Sequence, residues 1–503
     1  MQETLLQTLA RLAGDDRALG HPGEVQEEVL LGILKKNQNT LFARKYALDE
    51  IDSATAYVRR MPLMKYDDMK PYIEQMKAGA THILLAEDFP RWAQTSGTTS
   101  SEPKLYPFPW EVIEDAAHLV CKLMLHAIEE EPERENMLLG KMLFLVADVV
   151  TTSIAGKPVG YFSGIVAHDI QKIPGLETMF TPPADVLAMQ GWEARWLEMA
   201  RCASRENVTM AVSTPPILLS YFKKITDEYR PVLDVPENIK ELWPNMTLII
   251  GAGVKMSLYE KKFKEILGDQ ACCREFYAAT EGVFAYQKDA REGMEPIIDR
   301  IFYEFIPLHE WQAARADGED YRTYEFTRLL YDQVKLNEDY ILVITSPIGL
   351  YNYVIGDIVR FIARNRIIWV GRAEFESNIA GEKMNEMHMS MLKKSVESTM
   401  GVEIANQVAS VQEDPLRYVF AFEFEGNVDL TELIETVDKS TRELNPIYDW
   451  LREKNVLKYP EIVKLPRGAF DRYFRWKQEQ TGTLGQIKPP VFASRDLIEK
   501  LKE

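Results

Sequence analysis

Apolar positions in the first ninety residues recur at helical spacing. Leu5, Leu9 and Leu12 share one face of an opening segment, and Val25, Val29 and Ile33 share a face of the next, the period of amphipathic helices that cover a core. Further on, short apolar runs alternate with longer amphipathic stretches. MLFLVADVV, VTMAVST ahead of PPILLSYFKKI, and MTLIIGAG ahead of SLYEKKFKEIL each read as a strand followed by a turn or helix. This alternation predicts an α/β fold.

The pattern changes over residues 340–372, where β-branched and aromatic residues dominate and Arg364 and Asn365 offer a polar turn; a strand-rich subdomain is expected there. After Gly381 come an amphipathic stretch over 384–400, the alternating run RYVFAFEFEG and a helical pattern over 429–444. The simplest division is a large N-terminal domain, 1–378, and a small α+β domain, 379–503, with residues 376–381 as a short connection able to act as a hinge.

Composition narrows the function classes. A chain of 503 residues with 46% hydrophobic and 27% charged residues can bury the cores of two or more domains and is not a disordered tract. Its net charge of -18 repels a phosphate backbone over most of the surface, so nucleic acid is not an expected partner. Four cysteines, of which Cys272 and Cys273 are adjacent, fit neither a disulfide framework nor metal-ligand spacing and point to the reducing cytoplasm. The most apolar run, over 137–150, is short and carries Lys141 and Asp148, so no membrane span is expected.

Four segments carry candidate chemistry. TSGTTSSEPK contains Thr95, Ser96, Gly97, Thr98, Thr99 and Ser100 and ends at Lys104; its hydroxyls and main-chain N–H groups can face phosphate oxygens, although it lacks the Walker A spacing. Taken alone, it also reads as a solvated turn. YAATEGVFAY places Tyr277, Ala278, Ala279, Thr280 and Glu281 just after a predicted strand, the end at which open α/β sheets bind ligands. Glu281 is suited to Mg2+ that also takes water and phosphate oxygens, or is simply an exposed acid. In GLYNYVIGDIVRF, Asp357 can accept from both ribose hydroxyls, though Gly-Asp turns are common. In QIKPP, Lys488 sits before two prolines, either as an ordinary surface lysine or as a fixed charge for a reacting phosphate.

With MPLMKYDDMKPYIEQM, ELWPNMTLIIGAG and GAFDRYFRWKQEQTGTLGQIKPP, these motifs resemble, in order, the Gretchen Hagen 3 (auxin-responsive promoter) family of acyl acid amido synthetases. The resemblance implies an adenylate-forming fold with a large N-terminal and a small mobile C-terminal domain, using ATP and Mg2+. It also implies a carboxylic acid and an amine, such as an amino acid, as substrates. It matches the 95–100 loop to a phosphate-binding loop, residues 277–281 to a nucleotide and metal motif, and Asp357 to a ribose-binding acid. Gly253 and Arg372 join the expected nucleotide site, Lys383 matches the lysine just past the hinge, and Lys488 matches the lysine at the reaction centre.

The chain departs from the family pattern at Asn352 and Val354, where arginines commonly flank the second tyrosine, and at Ala279, Thr280 and Gly282. The first departure is expected to remove two positive charges near the site. Met124, Phe162 and Phe222 are candidate acyl-pocket linings, and the acid itself is not readable. Two other readings stay open: a coenzyme A ligase of the same superfamily, and a catalytically silent nucleotide-binding protein.

Overall fold

The computed structural model describes residues 2–14, 20–95, 103–253, 255–316, 318–373, 376–377, 379–382, 384–426, 428–470, 472–473, 476 and 491–502. The described residues up to Ala373 form one compact unit and the described residues beyond it form a second. Among the described residues, no helix is long and apolar enough to cross a membrane.

Among the described residues, the first unit holds three sheets. Strands β1 (Arg91–Gln94), β2 (Leu105–Phe108), β4 (Thr152–Ile154) and β5 (Lys157–Tyr161) pair in the order β2-β1-β5-β4. Strands β3 (Lys141–Phe144), β6 (Phe180–Thr181), β7 (Val208–Ser213), β8 (Leu248–Ala252), β9 (Cys272–Ala279), β10 (Gly282–Tyr286) and β11 (Glu295–Pro296) pair in the order β11-β10-β9-β8-β7-β3-β6. The five strands from β6 to β9 in that order are parallel, and every residue of β7 is buried, as expected of a sheet covered on both faces. Helices Pro215–Lys224 and Glu260–Leu267 follow β7 and β8 as the sequence pattern predicts.

The third sheet is antiparallel and runs in chain order through β12 (Phe302–Pro307), β13 (Asp339–Ser346), β14 (Leu350–Ala363) and β15 (Arg366–Arg372). The chain reverses at Arg364 and Asn365, the predicted turn. One face packs Ile306, Ile341, Val343 and Val354 against Leu63 and Trp311. Helix Pro22–Asn37 docks on this sheet through Gln26, whose amide donates to the carbonyls of Ile298 and Ile301 at 2.6 and 2.7 Å and accepts from Tyr303 N–H at 2.8 Å. Those three bonds satisfy a buried amide and fix the helix by geometry as well as by apolar contact.

MLFLVADVV is a strand only to Phe144. The rest leaves the sheet, because the Asp148 carbonyl takes Tyr161 N–H at 3.0 Å and its carboxylate pairs with buried Arg195 at 2.5 Å.

The second unit contains β16 (Glu376–Ser377) paired with β17 (Met384–Asn385), and a sheet of β18 (Ile404–Glu413), β19 (Leu416–Phe424) and β20 (Glu461–Leu465). Helices Glu386–Met400 and Leu430–Leu444 follow the sequence pattern closely. The end of the expected connection over 376–381 is bonded to residues of the second unit. Buried Glu382 accepts N–H groups of Ile379 and Ala380 at 2.7 and 2.8 Å and the Tyr418 hydroxyl, while its carbonyl accepts the Asn445 amide at 2.7 Å. This network ties Ile379, Ala380 and Glu382 to Tyr418 and Asn445 within the second unit.

Candidate active site

Strands β3, β7 and β8 each end within about a residue of the neighbouring strand, at Phe144, Ser213 and Ala252, and β9 runs on past Phe276 to Ala279. The β8–β9 register sets Ala252 beside Phe276, the residues that precede Gly253 and Tyr277. Gly253 has a φ of 80°, a left-handed conformation that favours glycine. At the end of β9, Ala278 and Ala279 are half-buried, and in the turn that follows Thr280 is half-buried and Glu281 is buried. The small residue at 282 has a steric reason: a Cβ there would come within 2.9 Å of Ile301 Cδ1.

Thr95 and Lys104 close the hairpin between β1 and β2. Thr95 N–H donates to the Lys104 carbonyl at 2.9 Å and Lys104 N–H donates to Thr95 Oγ1 at 3.1 Å. Ser96, Gly97, Thr98, Thr99 and Ser100 lie outside the described residues. The Lys104 ammonium sits 5.5 Å from the centre of the Tyr66 ring, a cation–π distance that leaves the charge at the hairpin base. Tyr66 Oη accepts Leu105 N–H at 2.9 Å. Two residues earlier, Met64 bridges to β14 by accepting Val354 N–H at 2.8 Å and donating to the Asn352 carbonyl at 2.9 Å. The MPLMKYDDMK motif therefore ties the β1–β2 hairpin to the strand that carries Asp357.

Two hydrogen-bonded links bring the separated motifs together. Tyr277 donates to Asp357 Oδ2, joining β9 to β14, and its ring lies 4.8 Å from that of Phe284. Tyr106, on β2, donates to Glu281 Oε1 at 2.9 Å and contacts the Tyr353 hydroxyl at 2.8 Å. Burial first, and then the Glu281 carboxylate, push the Tyr106 phenol well above the usual tyrosine range, so it is a neutral donor. The Ser346 hydroxyl reaches the Glu281 carbonyl at 3.4 Å.

Glu281 Oε2 accepts no hydrogen bond from a described residue. Among the described residues, no group of three His, Cys, Asp or Glu side chains is placed to hold a metal. A lone carboxylate fits Mg2+, which would take its other ligands from phosphate oxygens and water, and does not fit a zinc site.

Arg372 pairs through its main chain with Asp357 at the start of the β14–β15 ladder. Lys383 and Lys488 lie outside the described residues. Asn352 and Val354 are both buried, Asn352 donating its amide to the Met61 carbonyl at 2.9 Å and Val354 packing in the Trp311 core. The departure at these positions is therefore a change in packing beneath β14 and not a loss of charge beside Glu281. Of the candidate acyl linings, Met124 and Phe222 are core residues, the latter against Trp243 and Phe263, whereas half-buried Phe162 meets Phe108 edge-on at 5.8 Å. Sequence reasoning missed Tyr106, Tyr353 and Tyr66, since an aromatic in a short apolar run carries no sign of what its hydroxyl touches.

Three family models match the chain: the GH3 family N-terminal domain over residues 16–234, the GH3 family central domain over 295–366, and the GH3 family C-terminal domain over 386–496. The chain belongs to the GH3 family. The GH3 N-terminal segment contains the 95–104 loop, the central segment contains Asp357, the C-terminal segment spans position 488, and the Tyr277–Glu281 motif falls between the first two.

Similar proteins include a jasmonoyl–L-amino acid synthetase of Nicotiana attenuata, 22% identical over 93% of this chain and 90% of that protein. An indole-3-acetic acid-amido synthetase of Arabidopsis thaliana is 23% identical over 95% of each. Among solved structures, the GH3.15 acyl acid amido synthetase superposes with a TM-score of 0.58 at 18% identity, covering 95% of this chain and 93% of that one. A 2-hydroxyisobutyryl-CoA ligase bound to its acyl-AMP and CoA gives a TM-score of 0.54 at 12% identity, covering 95% and 92%. This GH3 protein thus shares its fold with adenylate-forming ligases.

Proposed function

We propose that the chain uses ATP and Mg2+ to convert a carboxylic acid into its acyl-adenylate and then passes the acyl group to the amine of an amino acid, giving an amide. One conjunction supports this: all three GH3 segments occur in family order on a fold whose sheet edge links Tyr277 to Asp357 and Tyr106 to Glu281. Four cysteines without disulfides suit a cytoplasmic enzyme.

In this reading the loop from Thr95 to Ser100, with Lys104, holds the triphosphate, and Gly253 with Tyr277, Ala278, Ala279 and Thr280 holds the base. Asp357 accepts the ribose hydroxyls. Mg2+ at Glu281 supplies positive charge to phosphate oxygens. Arg372 and Lys383 complete the nucleotide contacts, and Lys488 neutralises charge on the α-phosphate and carboxylate as they meet. A carboxylate oxygen bonds to the α-phosphorus while the bond from that phosphorus to the bridging oxygen breaks and pyrophosphate leaves. The amine nitrogen then bonds to the acyl carbon, the acyl–oxygen bond breaks, AMP leaves, and the surplus amine proton passes to solvent. The residues contribute by positioning and charge stabilisation, which suffice for such displacements.

The test is incubation with ATP, Mg2+ and a carboxylic acid library that includes jasmonate and indole-3-acetate, followed by amino acids or coenzyme A and mass detection. Amides are expected. Thioesters without amides would move the chain to the coenzyme A ligases, and neither product with ATP binding intact would mark it as silent. Lys488→Ala is expected to slow adenylation far more than it weakens ATP binding.

A further inference from the structure

We infer that Tyr106 is the positioning residue that aims Glu281 at the metal, and that the phosphate-loop hairpin thereby sets the metal position. This deepens the proposed adenylation and rests on it. Tyr106 is fully buried and stands two residues after Lys104, on the strand that closes the loop. Its hydroxyl carries a single proton, which goes to Glu281 Oε1 at 2.9 Å. The Tyr353 proton must then point at Tyr106 Oη across 2.8 Å, so the two phenols form a directed relay that ends on the carboxylate.

The geometry leaves little freedom in that relay. Tyr106 is wedged edge-on between the rings of Tyr66 at 5.5 Å and Tyr353 at 6.2 Å. Tyr66 is itself bonded to Leu105 N–H, and β14 holds Tyr353 within the antiparallel sheet. A carboxylate with one oxygen occupied by a rigid neutral donor presents its other oxygen in one direction. Outer-sphere donors of this kind orient a ligand and tune its affinity for the metal. The phenol sits on β2, whose first residue directly follows Lys104, so a metal shared by Glu281 and the triphosphate is held in register with the base of that hairpin.

The experiment measures ATP affinity calorimetrically with Mn2+ and again with a chelator, without any carboxylic acid, so that nothing turns over. For Tyr106→Phe, the gain in affinity on adding Mn2+ is expected to fall about tenfold, while metal-free ATP affinity stays within about twofold of the parent. Equal weakening under both conditions would mean a merely structural role and would overturn the inference, as would an unchanged Mn2+ gain. Tyr353→Phe leaves the Tyr106–Glu281 bond in place and is expected to keep the Mn2+ gain within about twofold, since neighbouring bonds strengthen one another only modestly; a tenfold loss there would also contradict the inference. Glu281→Gln separates the two claims. If it retains the Mn2+ gain, the metal assignment itself fails, whereas if it loses the gain and Tyr106→Phe does not, only the positioning role fails.

Discussion

The phenol of Tyr277 donates a hydrogen bond to the carboxylate of Asp357, eighty residues later, and so joins the parallel sheet to the antiparallel one. If Asp357 also accepts the ribose, Asp357→Ala loses hydrogen bonds to a charged group, a loss of about 2 kcal/mol or roughly 30-fold in ATP affinity. The loss should be smaller when 2′-deoxy-ATP replaces ATP, because one of the two hydroxyls is already gone. Titration calorimetry with both nucleotides checks this, and equal losses would detach Asp357 from the 2′-hydroxyl.

Asn352 is fully buried with a left-handed φ of 47°, and its side-chain amide is bound to the Met61 carbonyl. Asn352→Arg, which restores the family's usual residue, forces a guanidinium into that slot without a partner. A destabilisation of about 3 kcal/mol or more is expected, read from chemical denaturation. A variant of parental stability would place position 352 at the surface of the site instead of beneath β14.

Burial acts to raise the Asp169 pKa, but hydrogen bonds from His168, Arg91 and Lys172 outweigh it and hold the carboxyl well below its usual range. The Arg91 bonds, at 2.6 and 3.1 Å, anchor the start of β1 and hence the strand that leads to Thr95. A carboxylate whose folded-state pKa is depressed contributes stability above its unfolded pKa and loses it as pH falls through the folded value. Asp169→Asn should therefore cost about 3 kcal/mol near neutrality, and the gap to the parent should narrow as the pH drops below about 4. Parallel stability curves across that window would show that the ion cluster is not what holds β1.

Much of the scaffold was legible because local pattern and global fold agree there. VTMAVST and MTLIIGAG are the buried β7 and β8, and the motif from Tyr277 to Glu281 lies at the strand ends where the alternating pattern placed it. Helix Pro22–Asn37 was legible as a helix but not in its register. Its buried stripe is Gln26, Leu30, Ile33, Leu34 and Asn37, polar at both ends, since main-chain partners and not apolarity decide which face is inside. Strands β1, β2, β4 and β5 escaped notice because each is five residues or shorter, and the pairing that joins the two hairpins is distant, as where Trp92 meets Val159. Tyr106 and the Met64 bridge escaped for the same reason: their meaning lies in contacts with residues far along the chain.

The central claim is that the site joins a free carboxylic acid to ATP, and pyrophosphate exchange measures that step alone. Labelled pyrophosphate should enter ATP only when Mg2+ and an accepted carboxylic acid are both present, and Glu281→Gln should abolish the exchange. Exchange that does not require a carboxylic acid, or none with any acid while ATP still binds, would contradict the account.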